Sequence, residues 1–213
     1  RRDLDEDSGF KFRAGHTSLW GAYLLSSYLY RLNPVMRGET HLDYRTKRGF
    51  AGGQDLYWRA PDGAWWGDLK TYYADDEEPV ADDEDAATAD IDNERYRVRL
   101  KHNVYFTPRD YAILQADYLS DTDMLEDFFE DEYRQSRQPE NYLSYTHRGD
   151  RYTAGARLQA RINDFYSDVN RLPQVSLDVF RRQVGRTPYY YESSTAAAAL
   201  ERVWAEDLER EDY

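Results

Sequence analysis

The stretch Arg151-Tyr152-Thr153-Ala154-Gly155-Ala156-Arg157-Leu158-Gln159-Ala160-Arg161-Ile162-Asn163 decides the fold. Its even positions are apolar or aromatic, and its odd positions are Arg, Thr, Gly, Gln and Asn. Successive side chains of a strand point to opposite faces, so this period of two reads as one strand with an apolar and a polar face. Arg95–Phe106 repeats the pattern: Tyr96, Val98, Leu100, Val104 and Phe106 share one face, and Arg95, Arg97, Arg99, Lys101 and Asn103 share the other. Weaker alternation runs through Met36–Arg45, Asp68–Tyr73, Ala112–Leu119 and Val175–Val179.

Compact turn signals of the Pro/Asn/Asp/Gly type separate the runs: Leu32-Asn33-Pro34, Ala60-Pro61-Asp62-Gly63, Thr107-Pro108-Arg109-Asp110, Arg148-Gly149-Asp150 and Gln183-Val184-Gly185-Arg186. Longer connections at 76–93, 122–140 and 164–173 alternate with them, and only Lys47-Arg48-Gly49 is short where a long loop is expected. The count gives about eleven strands joined as consecutive hairpins. After Asp121-Thr122-Asp123, an N-cap signal, the residues Met124, Leu125, Phe128, Phe129 and Tyr133 fall at helical spacing and predict one short amphipathic loop helix over the barrel mouth, its apolar face used for packing.

Composition removes most other classes. The 213 residues carry 41 Asp+Glu against 28 Lys+Arg, a formal charge of −13, which speaks against a nucleic-acid binder. Eleven of the acids lie between Asp75 and Glu94 with no base among them, leaving 30 acids against 28 bases elsewhere. That run, which lacks the glycine and ligand spacing of a calcium loop, reads as a solvated loop; further acidic stretches span Asp121–Glu140 and Glu201–Asp212. There is no cysteine, so disulfide and zinc-ribbon scaffolds are excluded. No apolar run approaches the ~20 residues of a membrane helix. Twenty Tyr, eight Phe and five Trp are too many aromatics for a chain that stays solvated. Residue 1 is an arginine, read as the start of a processed product or an excised piece.

A run of amphipathic hairpins fits either a soluble antiparallel sandwich or barrel, or a transmembrane barrel with its apolar face toward lipid. Strands of twelve or thirteen residues exceed the ~9–11 that cross a bilayer. Long polar loops at one end, short turns at the other and aromatics near strand ends (Trp65 and Trp66, Phe165 and Tyr166, Tyr189 to Tyr191) point to the transmembrane form. His16, His41, His102 and His147 show no metal-ligand spacing, no nucleophile motif is present, and neither an enzyme nor a cofactor or metal is expected.

Five segments then carry a family resemblance in order: His41-Leu42-Asp43-Tyr44-Arg45-Thr46-Lys47-Arg48-Gly49-Phe50-Ala51-Gly52-Gly53; Leu69-Lys70-Thr71-Tyr72-Tyr73-Ala74-Asp75-Asp76; Leu119-Ser120-Asp121-Thr122-Asp123-Met124-Leu125-Glu126-Asp127-Phe128; Asn170-Arg171-Leu172-Pro173-Gln174-Val175-Ser176-Leu177; and Gly185-Arg186-Thr187-Pro188-Tyr189-Tyr190-Tyr191-Glu192-Ser193. They resemble the barrel domain of the LptD (OstA, organic solvent tolerance) family. The resemblance implies that residues 1–213 are the N-terminal part of one outer-membrane β-barrel domain, its periplasmic domain and remaining strands lying outside this chain. The implied task is to insert lipopolysaccharide into the outer leaflet through the barrel lumen and a lateral seam. The partners implied are lipopolysaccharide, a plug lipoprotein of the LptE type, periplasmic lipopolysaccharide bridge proteins and outer-membrane lipids.

On this reading Arg97, Arg99, Lys101, Arg157 and Arg161 line the lumen, either along the transport path or paired with acids such as Asp43, Asp55 and Asp68 or with the plug. Phe10, Lys11, Phe12 and Arg13 lie on the seam strand, about Gly9–His16. The chain departs from family members that carry prolines in their first two strands, having none between Gly9 and Leu32. A general porin or diffusion channel and a soluble β-sandwich binding module share the strand pattern and remain the alternatives.

Overall fold

A computed structural model describes residues 8–79 and 91–205. The chain is all-β: β1 (Gly9–Thr17), β2 (Gly21–Asn33), β3 (Met36–Arg45), β4 (Gly49–Arg59), β5 (Trp65–Asp75), β6 (Glu94–Tyr105), β7 (Asp110–Leu119), β8 (Tyr142–Arg148), β9 (Tyr152–Gln159), β10 (Asp168–Gln183) and β11 (Tyr190–Val203). These eleven strands form one antiparallel sheet in the order β1 to β11, each beside its chain neighbour, and the sheet is not closed among the described residues. The helices are short, α1 (Met124–Phe128) and α2 (Glu130–Tyr133), both between β7 and β8.

The up-and-down order follows from the turns. Gly49 closes the β3–β4 turn with φ of 72°, a left-handed value that side chains with a Cβ rarely adopt. That turn fixes the β3–β4 register, with Arg45 opposite Gly49 and Met36 opposite Trp58. In the β2–β3 ladder Tyr30 faces Gly38, and its ring occupies the space a side chain at 38 would fill.

Two expectations are corrected. The strand drawn over Arg151–Asn163 ends at Gln159, opposite Tyr142 where its partner β8 begins; beyond it the Ala160 N–H still donates to the Asn141 carbonyl at 3.2 Å, and the Arg161 N–H turns to the Asn170 side chain at 2.8 Å. The loop expected over 164–173 is confined to 160–167. Asp168–Arg171 already pair with Leu200–Val203, and the irregularity falls between Arg171 and Gln174, where Pro173 has no N–H to give the ladder. Residues 80–90, with five of the eleven acids of the run, and the acidic residues after 205 lie outside the described residues.

The chain divides into two compact units: residues 1–61, 67–100 and 117–139 in one, and 62–66, 101–116 and 140–213 in the other. The first has an inverted distribution of polarity. On β3 and β4 the outward positions are Leu42 and Phe50, 65% and 63% exposed, while Glu39, Asp43, Arg45 and Asp55 are buried. On β6 Tyr96 and Val98 are exposed, but Arg95 and Arg97 are 0% and 3% exposed. In the second unit Tyr145, Tyr152, Leu158, Val175 and Leu177 are all exposed, whereas Gln159 and Asn163 are buried.

Candidate functional site

The buried polar face of the first unit is built by strand parity. Odd positions of β3, β4 and β6 and even positions of β5 point inward, which brings Glu39, His41, Asp43, Arg45, Asp55, Lys70, Tyr72, Arg95 and Arg97 onto one surface. Buried charges require partners, and the face supplies them. Arg45 Nη1 donates to Tyr72 Oη at 2.9 Å, and the Tyr72 hydroxyl donates to Asp43 Oδ2 at 2.7 Å. Arg97 makes a fork with Asp117 at 3.1 and 2.9 Å and reaches Glu132 at 2.8 Å. Arg99 is held between Asp68 at 3.2 Å and Glu132 at 2.5 Å.

The loop between β7 and β8 docks on this face. Met124, Leu125 and Phe128 are buried, in keeping with packing as the role of its apolar side. The expected single helix is split at Phe129, whose φ of −133° and ψ of 46° leave helical geometry. Asp123 takes the N-cap position without a side-chain cap; instead Asp121 Oδ1 accepts from the Asp123 N–H at 3.0 Å. The centre of the dock is charged. Arg95 donates to Asp76 at 2.8 Å, to Asp121 at 3.0 and 2.6 Å, and also to Asp127. Arg48, from the β3–β4 turn, donates to Asp76 at 2.9 Å and Asp127 at 2.7 Å. Trp20 Nε1–H donates to the Asp127 carbonyl at 2.6 Å, and the Arg45 guanidinium lies over the Trp20 ring.

Two groups of the docked loop are shifted from their ordinary ranges. Burial raises Asp127, and the Arg95 and Arg48 guanidiniums offset this only in part. Burial also acts to raise Glu132, but Arg97, Arg99 and Lys70 outweigh it and hold the carboxyl below its ordinary 4.5. A cavity of about 540 Å³ lies between the loop and strands β1 to β6, lined among others by Trp20, His41, Asp55, Lys70, Arg97 and Glu132.

The residues singled out in the sequence fall in three places. Arg97 and Arg99 sit in this network, with Lys101 further along the same face of β6. Arg157, in the second unit, donates to Glu140 at 2.9 Å and stacks on Tyr142. Arg161 lies past the end of β9, and its Nη1 donates to the carbonyls of Asp164 and Trp204, both at 2.6 Å. Phe10, Lys11, Phe12 and Arg13 are on β1, which among the described residues is an end strand paired with β2. Of the three acids named as partners, Asp68 meets Arg99, Asp43 lies 3.5 Å from Arg45, and Asp55 lies 3.8 Å from Lys70.

Sequence reasoning missed Arg48, Asp76, Asp121 and Asp127, since nothing separates them from the turn and solvated acids around them. It also missed the meeting of His41 with Glu39 and Asp55, whose ligand atoms lie within 4.8 Å of one another. The signal was present: a turn at Lys47-Arg48-Gly49 sets Arg45 opposite Gly49, and counting back puts Glu39 opposite Asp55.

Compared with protein-family models and with curated proteins, the chain matches none.

Proposed function

We propose that this chain is part of a transmembrane β-barrel of the outer membrane, of the LptD type, which passes lipopolysaccharide along a charged lumen and releases it to the outer leaflet through a lateral seam. The observation that carries the reading is the inverted polarity. Leu42 and Phe50 are more than 60% exposed while Arg95 and Arg97 are buried. In water the exposed apolar side chains would each forfeit roughly 1.5–3 kcal/mol of burial. In lipid the same arrangement is favourable, because hydrocarbon takes the apolar face and water the polar one. A porin would use such a face equally; the ordered resemblance of five segments favours lipopolysaccharide transport.

In this reading the long connections at 76–93 and 122–140 are extracellular, and the turns at Asn33, Asp62, Arg109, Gly149 and Gly185 are periplasmic. The α1–α2 loop folds back into the lumen. Paired arginines there offer fixed donors for phosphorylated saccharide. β1 and β11 are unsatisfied edges, which further strands complete. The partners that fit are lipopolysaccharide, a plug lipoprotein and the periplasmic bridge.

Because the chain has no cysteine, a single one reports a single site. A fluorophore at position 158 is expected to be quenched by brominated lipid, and one at 157 is not. Quenching at neither position would end the membrane reading. A photo-crosslinking residue at Lys101 is expected to yield a lipopolysaccharide adduct in cells. Quenching at 158 without that adduct would leave a general diffusion channel instead.

A further inference from the structure

Glu39 and Asp55 stand directly opposite one another in the β3–β4 ladder, and His41 projects on the same face one step along β3. Like charges placed opposite across a strand pair repel, and these two are only 5% and 8% exposed. The basic groups beside Asp55 stand off from it: His41 Nε2 is at 3.5 Å and Lys70 Nζ at 3.8 Å. Lys70 stands equally far, at 3.8 Å, from Glu132. The ligand atoms of Glu39, His41 and Asp55 all lie within 4.8 Å of each other, a span that small side-chain rotations can contract around one ion.

We propose that Glu39, His41 and Asp55 form a binding site for a divalent transition-metal ion of the zinc class. One imidazole and two carboxylates are a three-ligand set for such an ion, with bonds of about 2.0–2.2 Å and a fourth position left to water. That position opens on the cavity, which all three side chains line. The imidazole selects against magnesium and calcium, which take oxygen ligands. The carboxylates are already oriented from outside: the Tyr57 hydroxyl donates to Asp55 Oδ2 at 2.8 Å, and the Ser27 hydroxyl donates to Glu39 Oε1 at 2.8 Å. Such supporting hydrogen bonds hold metal ligands in place. A bound dication neutralises the opposed carboxylates and leaves Lys70 to Glu132. The site needs only strands of the first unit and does not rest on the membrane reading.

The test uses the full protein, stripped with chelator and titrated with Zn²⁺ by calorimetry, with thermal unfolding followed in parallel. One equivalent is expected to bind and to raise the unfolding temperature; a saturating excess of Mg²⁺ does neither. His41→Gln and Asp55→Asn, which keep side-chain size, are each expected to weaken Zn²⁺ binding by at least about tenfold, while His102→Gln leaves it unchanged. Circular dichroism checks that each variant is folded, and the stabilisation of the unmodified protein by Zn²⁺ needs no variant at all. Absence of saturable binding and stabilisation, equal stabilisation by Mg²⁺, or full affinity in folded His41→Gln would each overturn the site.

Discussion

Replacing Arg95 by methionine removes one guanidinium from a cluster in which it and Arg48 together hold Asp76 and Asp127, with Asp121 on the outer side. Asp76 and Asp127 remain buried and are left to Arg48 alone, so two carboxylates share one cation. Breaking a buried pair by deleting one partner costs about 3–5 kcal/mol, most of it the uncompensated charge. The strain falls on the dock of the α1–α2 loop, whose release lets water reach Asp127. At 1.4 kcal/mol per decade, the equilibrium for loop release rises about a hundredfold to a few thousandfold. Trp20, whose indole donates to the Asp127 carbonyl, is a local reporter of that release. Tryptic cleavage after Arg134, at the end of α2, is a second. Arg95→Met should therefore change Trp20 emission and speed cleavage at Arg134, with the rest of the sheet intact. Adding Asp127→Asn to Arg95→Met restores charge balance and should recover most of the loss. If the single variant left both reporters unchanged, or the added Asp127→Asn made release worse, the charge accounting would be wrong.

Three further outcomes are expected. Glu132 is held below its ordinary 4.5, so its contribution to docking is present above that value and fades as pH falls through the depressed one. Burial raises Asp127, which acts with the opposite sign, so the difference between the unmodified protein and Glu132→Gln in an acid titration of Trp20 emission isolates Glu132; identical titrations would refute its role. Gly38→Leu should drive Tyr30 off its cross-strand position and lower the urea midpoint of unfolding by an amount that Gly52→Leu, which meets only the His41 carbonyl at 3.5 Å, does not match. Epitope tags after Glu78 or Gln138 should be labelled on intact cells and tags at Asp62 or Gly149 should not, and the reverse pattern would invert the topology.

Strand number, turn positions and the parity of each face were legible because alternation and turn chemistry are local properties. Residues 95–105 illustrate this: the odd positions that read as one polar face include the buried Arg95 and Arg97. Local reasoning failed where pairing decides. Ala160 to Asn163 continue the alternation of β9 but leave the ladder, the Arg161 N–H turning to the Asn170 side chain, so the pattern outlasts the strand. Asp76 reads like Glu77 and Glu78, yet it is fully buried because Arg48 and Arg95 converge on it from 28 and 19 residues away. Charge runs report composition, and which carboxylate turns inward depends on where a guanidinium waits in three dimensions. His41 shows no linear metal spacing: Glu39 stands two residues before it on β3, but Asp55 reaches it only through the register of the β3–β4 hairpin.

The ion-paired face of the first unit also sets how this protein should respond to temperature. Exposing apolar surface on unfolding raises the heat capacity by about 0.45 cal/K/mol/Å², while exposing polar surface lowers it by about 0.26. Opening a face of Glu39, Asp43, Arg45, Arg95 and Arg97 draws on the second coefficient more than an apolar core does. Release of the loop then carries a small heat-capacity change, because the hydrated charges of the dock offset Met124, Leu125 and Phe128. Its free energy accordingly varies almost linearly with temperature. The dock should therefore hold on cooling, without the low-temperature weakening that a purely apolar contact would show.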